Sequence, residues 1–254
     1  MDVLPRHVIC VLGRWRDFSV VQSAVATCGD DFTLDGEYSQ LVPDERMVVA
    51  FEASMDRFDP TITAEDWDNI QTHTAVAYIL SPPISKAAAE SISARTLLLA
   101  VTLLNQGGLA VKSESAGLAH GRKRWIELGR KYSIATERND AHSASATLYW
   151  AWVQRAIHDT SSATLYSIGM HLLGQRDTEI DDSLAFSTAL QWIDLMGLYL
   201  VADKPDRPVL DGEGFRLRNE GPRRIIRRVP CDRYEQDDFF FNPYGYNRLV
   251  VDEG

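Results

Sequence analysis

Short apolar runs bounded by proline or glycine recur along the chain and alternate with segments of helical periodicity. The run 7–12 lies between Pro5 and Gly13, and the run 74–80 is stopped by a Ser-Pro-Pro sequence. The most apolar segment, 97–104, has only eight residues, whereas a membrane span needs about 20 apolar residues. Short runs of this kind predict buried strands in a protein that does not cross a membrane.

The periodic segments predict an α+β fold in two layered halves, each a mostly antiparallel or mixed sheet packed against helices. In the N-terminal half, 1–135, we expect strands at 7–12, 47–53, 74–80 and 109–112, and helices at 17–28, 84–105 and 116–132. In the C-terminal half, 146–254, we expect strands at 147–158, 164–173, 223–229 and 248–251, and a helix at 181–201. The polar stretch 133–145 has no periodic pattern and is interpreted as a loop joining the halves within one compact unit.

Cysteine usage and the N-terminus predict a reduced, cytoplasmic protein. The three cysteines are odd in number and form no Cys-x-x-Cys pair, so neither a disulfide framework nor a cysteine zinc site is expected. No basic stretch precedes a long apolar core at the N-terminus, so we expect no secretory signal. The sequence also lacks a phosphate-binding loop, a dinucleotide-binding motif and histidines at metal-ligand spacing. We therefore expect no cofactor and no bound metal.

The sequence Lys-Ser-Glu-Ser-Ala-Gly at 112–117 lies where a strand is expected to end and a helix to begin. A strand-to-helix turn can expose a nucleophilic serine, although the Gly-x-Ser-x-Gly motif is incomplete because Ser113 stands at its first glycine position. Alternatively, Ser113 or Ser115 simply caps the helix. The same helix start, with Ser113, Ser115 and Gly117, is a candidate anion site because free backbone N–H groups point out of a helix N-terminus.

A second candidate site combines His171 with the nearby carboxylates Asp177, Glu179 and Asp181. A group of carboxylates close in sequence is typical of a site for a hard cation. Alternatively, Asp181 and Asp182 complement the N-terminus of the helix predicted from Asp181 onward, and Asp177 occupies a turn. This second interpretation is favoured.

The stretch 216–233 is unusually basic, with seven arginines against two acidic residues. Three interpretations are open: it binds phosphate or nucleic acid, it pairs with the acidic remainder of the chain or with an acidic partner, or its charges protect a sheet edge from aggregation. Pairing within the chain is favoured, and contact with a protein partner is the next alternative. The arginines placed on the predicted strand are Arg223, Arg224, Arg227 and Arg228.

The segment 239–246 is rich in aromatic residues. Exposed, its rings would form an apolar patch of the kind found at protein interfaces. Buried, they would cover the second sheet with the C-terminal part of the chain, and this alternative is favoured. The candidate contact residues for a partner are Phe239, Phe240, Tyr244 and Tyr246.

The segment 166–180, with Gly-Met followed by a glycine four residues later and an acidic and apolar ending, resembles the bacterial domain-of-unknown-function 4261 family. The resemblance extends loosely to 74–83, 108–117 and 182–201. The Gly-Met phrase is also similar to that of suppressor-of-fused-like domains, although Gln175, Arg176 and Asp177 replace their usual Leu/His-Pro-Glu. Neither family implies catalytic residues. Both imply an immunity or accessory protein beside bacterial polymorphic toxins and secretion systems.

Two functions follow as alternatives. The first is a non-catalytic protein-binding module that neutralises a basic toxin or effector encoded nearby, in keeping with the net charge of −10. Outside 216–233 the chain carries 19 basic and 34 acidic residues, so nucleic acid is disfavoured as a partner of this acidic body. The second is a hydrolytic or small-molecule-binding enzyme that uses the turn from Ser113 to Gly117 with a histidine recruited in the fold.

Overall fold

The computed structural model describes residues 4–54 and 62–252, and these residues form an α+β fold with two sheets. The first sheet has the strand order β2-β3-β1-β4-β5, and all its strands are antiparallel. Its strands are β1 (Val8–Gly13), β2 (Thr33–Leu34), β3 (Ala75–Leu80), β4 (Gly108–Ser113) and β5 (Leu118–Gly121). The accompanying helices are α1 (Ser19–Cys28), α2 (Met47–Ala53), α3 (Ala64–Gln71), α4 (Ala89–Asn105) and α5 (Arg122–Glu137).

The second sheet is mixed, because β8 and β11 run parallel while the other neighbours are antiparallel. Its strand order is β6-β7-β8-β11-β10-β9. The strands are β6 (Gln154–Asp159), β7 (Thr164–Ile168), β8 (Asp177–Asp181), β9 (Gly214–Arg216), β10 (Arg223–Val229) and β11 (Tyr246–Val251). Helix α7 (Phe186–Leu198) packs on this sheet, α6 (Ala141–Trp152) packs mainly against α4 and α5, and short 3-10 and π turns occupy Met170–Leu173 and Tyr199–Asp203.

One continuous hydrophobic core joins the two sheets. It contains Ile9 and Val11 of the first sheet and Ile180 and Leu249 of the second. The strand period of two sends the intervening side chains of β1 to the opposite face, where they meet the layer formed by α2 and α3. The two halves predicted from the sequence therefore share their largest core. Among the described residues, no helix is both long enough and apolar enough to cross a membrane.

The expected strand at 47–53 is wrong, because these residues form α2. The β-branched and aromatic composition favours a strand, but Met47 and Phe51 are buried four residues apart while Val49 is 69% exposed. That pattern matches one face of a helix rather than the alternation of a strand. The helix packs on the outer face of the first sheet with α3.

The expected loop at 133–145 and the strand beginning at residue 147 are also wrong. Helix α5 continues to Glu137, and α6 begins at Ala141 after Asp140, whose carboxylate accepts a 3.0 Å hydrogen bond from the backbone N–H of Ser143. Residues 141–152 lack an amphipathic pattern because α6 packs against α4, α5 and the turns Met170–Leu173 and Tyr199–Asp203, and is buried around most of its circumference. The strand starts only at Gln154.

Candidate functional site

The arginines of β10 mostly form ion pairs within the chain. Arg224 is buried, donates to Asp181 over 2.6 Å, and lies over the Trp192 ring. Arg223 and Arg227 are exposed, and each lies within 3.4 Å of an aspartate, Asp252 and Asp211 respectively. Of the four candidate contact arginines on this strand, Arg224 is therefore inaccessible to a partner, and Arg228 is exposed.

Arg233 anchors the segment after β10 to the face of the second sheet. Its guanidinium carbon lies 4.6 Å from the ring centroid of Tyr166 and 4.8 Å from that of Tyr246. It also pairs with Asp159 over 3.0 Å and with Glu179 over 2.6 Å. The sequence places Arg233 in the basic stretch but gives no sign of these partners, because they lie on four different strands.

The three carboxylates Asp177, Glu179 and Asp181 share one face of β8, but they do not form an open cation site. Glu179 is fully buried between Arg233 and Arg248. No group of histidine, cysteine and carboxylate side chains among residues 4–54 and 62–252 is arranged to hold a metal ion. The alternative role for Asp181 at a helix start is wrong too, since the helix begins at Phe186 and Asp181 still belongs to the strand.

Asp177 lies at the centre of a buried polar network. It accepts hydrogen bonds from the Ser167 hydroxyl (2.9 Å), the Met170 backbone N–H (3.2 Å) and the Asn242 amide (2.6 Å). Burial raises the pKa of the Asp177 carboxyl to about 7, and the bonds from Asn242 and Ser167 act in the opposite direction. Burial lowers the pKa of the nearby His171 to about 4, which keeps its imidazole neutral at physiological pH.

The aromatic segment is divided between the interior and the surface. Tyr246 is buried and Phe240 packs edge to face on Tyr234, with 5.4 Å between the ring centroids. Tyr244 is partly exposed, and Phe239 is 54% exposed. The prediction that this segment is buried therefore holds for only part of it. Tyr246 is inaccessible to a partner.

The serines expected at a strand-to-helix turn lie in a β-hairpin instead. Strand β4 ends at Ser113 and pairs with β5, and the helix begins only at Arg122. The Ser115 hydroxyl donates to the Arg6 carbonyl over 2.7 Å and accepts from the Val8 N–H over 2.9 Å. Ser113 and Ser115 are buried, and the turn has no helix N-terminus to bind an anion. The geometry expected of a nucleophilic serine is absent here.

A feature that the sequence analysis overlooked is the charge of the segment 30–68, which we call the acidic segment. It contains twelve acidic and two basic residues, a net charge of −10 that equals that of the whole chain. The rest of the chain is thus balanced. A charge count in a sliding window would have revealed this segment. The net charge of the whole chain does not show where along the sequence the acidic residues are concentrated.

The described residues of the acidic segment form β2, α2 and α3, at the edge and outer face of the first sheet. Within this part of the chain, 30–54 and 62–68, several exposed carboxylates form no ion pair with any described residue: Glu37, Glu45, Glu52, Glu65 and Asp68. Exposed apolar side chains lie among them. Tyr38 is 62% exposed, Val42 56% and Val49 69%, and Leu41 is also exposed. On α2, Val49 and Glu52 are three residues apart and share one helix face.

Comparisons of this chain with models of protein families, with curated proteins and with solved structures found no significant match. Membership of the domain-of-unknown-function 4261 family therefore stays a prediction.

Proposed function

We propose that this chain is a non-catalytic protein-binding module that captures a basic protein on the acidic segment. The observation that carries the proposal is the coincidence, on one segment, of the chain's entire net charge with exposed apolar side chains. A strongly acidic surface accelerates encounter with a basic partner and repels acidic ones. Apolar side chains such as Tyr38 and Val49 supply the buried contacts that hold a complex once it has formed.

The geometry also favours binding over catalysis. The serine turn is a closed hairpin, and the carboxylates of β8 are bound by arginine, amide and hydroxyl groups within the protein. Nucleic acid is a poor partner for the acidic segment because its phosphates would be repelled. The finer proposal is a cytoplasmic immunity protein that neutralises a basic toxin or effector by covering its functional surface. That part rests on the resemblance to the domain-of-unknown-function 4261 family.

The test uses the basic product of a gene adjacent to the one for this chain. Both proteins are purified, and the affinity of their complex is measured by calorimetry and its association and dissociation rates by surface plasmon resonance, each at several salt concentrations. Cells producing the neighbour are tested for rescue by this chain. We expect Glu52→Lys to weaken the complex about tenfold or more, mainly through slower association, and the wild-type affinity to fall as salt rises. Val49→Ser should weaken it through faster dissociation.

The matched controls are Glu137→Lys, an exposed helical glutamate outside the acidic segment with the same charge change, and Leu195→Ser, an exposed apolar residue on α7. Both should leave affinity and rescue unchanged. A neighbour that forms no complex would contradict the immunity role. A complex weakened equally by Glu52→Lys and Glu137→Lys would contradict the use of the acidic segment.

A further inference from the structure

A cleft of about 520 Å³ opens where the N-terminal end of α4, the turn at 174–176 and the segment 200–209 meet strands β10 and β11. Its apolar lining includes Leu148, Leu173 and Leu200, all largely buried side chains. This volume is within the range of small-molecule sites, about 300–1,000 Å³. None of the residues that line the cleft belongs to the acidic segment.

The charged lining of the cleft is mainly basic, in contrast to the acidic segment. Five basic side chains line it, against the carboxylates of Glu90 and Asp206; they are Lys86, Arg176, Lys204, Arg207 and Arg228. Lys204 pairs with Glu90 over 2.8 Å, and Arg207 pairs with Glu213 outside the cleft. Two basic groups are thus already neutralised.

The remaining three cations have no ion-pair partner among residues 4–54 and 62–252: Lys86, Arg176 and Arg228. Arg176 is held in place through Nη1, which donates to the Val229 carbonyl over 3.2 Å. Burial and, second, the positive charge of Arg228 lower the pKa of Arg176. An anionic ligand would relieve this repulsion.

A buried polar atom in the lining points to a ligand independently. Asn247 is only 2% exposed and lines the cleft, and its carboxamide oxygen has no hydrogen-bond partner in the described part of the chain. Leaving such a group without a partner is costly. A half-turn of the amide exchanges its oxygen and nitrogen, so Asn247 can accept from a hydroxyl or donate to an anionic oxygen.

The start of α4 adds a third contribution to the same site. Lys86, Ala87 and Glu90 line the cleft, and the cap residue Ala88 provides no side-chain hydrogen bond to the first turn. Uncapped N–H groups at the start of a 17-residue helix favour an anion. Arginine, lysine and amide donors together match a phosphate group, which offers several acceptor oxygens and a double negative charge.

We propose that this cleft binds a small organic phosphate, with the phosphate between Arg176, Arg228 and Lys86 and the organic part against the leucine floor. The proposal is independent of the function proposed above, because the two sites share no residue. A failure to bind a basic protein would leave this site unaffected.

The experiment measures binding by calorimetry with three probes: inorganic phosphate, adenosine 5′-monophosphate and uncharged adenosine. We expect the monophosphate to bind and adenosine not to bind. Tighter binding of the monophosphate than of inorganic phosphate supports an organic ester as the ligand. Equal binding of the two would show that the leucines contribute nothing and would overturn the organic part of the proposal. Arg228→Gln should weaken binding about tenfold or more because it removes a charge-assisted hydrogen bond. Lys86→Gln should weaken it less.

The control is Arg227→Gln. Arg227 precedes Arg228 on the same strand, so its side chain leaves the opposite face, and it does not line the cleft. The two variants have the same change in charge, and both positions are exposed. A difference in their affinity for the monophosphate would therefore not come from a general loss of folding. The proposal is overturned if neither phosphate nor the monophosphate binds below about 10 mM, or if Arg227→Gln weakens binding as much as Arg228→Gln does.

Discussion

The Nη1 atom of Arg233 lies 2.6 Å from the Oε2 atom of Glu179, whose side chain is fully buried. The other carboxylate oxygen of Glu179 receives the Nε–H of Arg248. With the rings of Tyr166 and Tyr246 stacked against the guanidinium of Arg233, this contact fastens the segment after β10 to the middle of the second sheet.

Replacing Glu179 by glutamine should therefore destabilise the protein strongly. The substitution removes the buried charge that faces the largely buried Arg233, which keeps only Asp159 as a carboxylate partner, and breaking a buried pair in this way costs about 3–5 kcal/mol. Urea unfolding followed by circular dichroism measures the loss. Glu127→Gln is the control, since its partner Lys131 lies one helical turn away at the surface, and it should cost less than about 0.5 kcal/mol. Similar losses in the two variants would show that the buried contact contributes little.

Stability should also fall as the solution becomes acidic. Burial lowers the pKa of His7 and His120 to about 3 and that of His171 to about 4, whereas histidine in an unfolded chain titrates near 6.5. Below about pH 6.5 the unfolded state therefore takes up protons that the folded state refuses, and the free energy of unfolding decreases. Asp177 acts in the opposite sense, because its pKa is raised to about 7 and the folded state holds the extra proton.

Three histidines against one aspartate leave about two net protons, so the free energy of unfolding should change by about 3 kcal/mol per pH unit between about pH 4.5 and 6. Urea unfolding at intervals of pH measures this slope. In NMR spectra of the folded protein, the three imidazoles should show no titration at pH 5. A free energy of unfolding that stays constant over this range would contradict the assignment of these histidines as buried and neutral.

The sequence pattern was sufficient to locate the strands that are bounded by proline, glycine or a change in polarity. The predicted strand at 223–229 coincides with β10, and the runs at 7–12 and 74–80 match β1 and β3 to within one residue at each end. Helix α6 was missed because its apolar residues surround it. A helix that is buried on most sides has no polar face, so its sequence shows no helical periodicity. Its burial depends on elements that are distant in sequence and pack around it.

The candidate sites were less predictable because their partners are distant in sequence. Asp177 and Tyr246 are neighbours through the parallel pairing of β8 with β11, and the cleft is built from six separate parts of the chain. Neither this pair of neighbours nor the cleft can be predicted from the spacing of residues within one segment. The acidic segment, in contrast, is continuous in sequence and needed only a local charge count.

The shared core predicts that the two sheets unfold together. Trp152 of α6 is fully buried, lies 5.2 Å from the ring centroid of Trp125, and donates to the Ser93 carbonyl of α4. Trp152→Ala should therefore cost about 3–5 kcal/mol. Because both sheets pack on this core, circular dichroism and tryptophan fluorescence should report a single coincident transition. Trp67→Ala, in the smaller layer on the outer face of the first sheet, should cost less. Two separate transitions in the wild-type protein would contradict the shared core.

Gly169 should be intolerant of a side chain because it makes a turn that no other residue fits. It lies between β7 and the turn Met170–Leu173 with φ of +113°, a conformation that L-residues with a Cβ rarely adopt. An added Cβ would lie 2.0 Å from the carbonyl oxygen of Trp152. Gly169→Ala should therefore lower the free energy of unfolding by well over about 1 kcal/mol.

Gly36 provides the matched comparison, since a Cβ there would meet no atom within 4 Å and its φ is not positive. Gly36→Ala should be neutral or slightly stabilising, because alanine reduces the freedom of the unfolded chain. Thermal and urea unfolding of both variants test the difference. If Gly169→Ala proved as stable as Gly36→Ala, the close contact between Gly169 and the Trp152 carbonyl would not be what restricts this position.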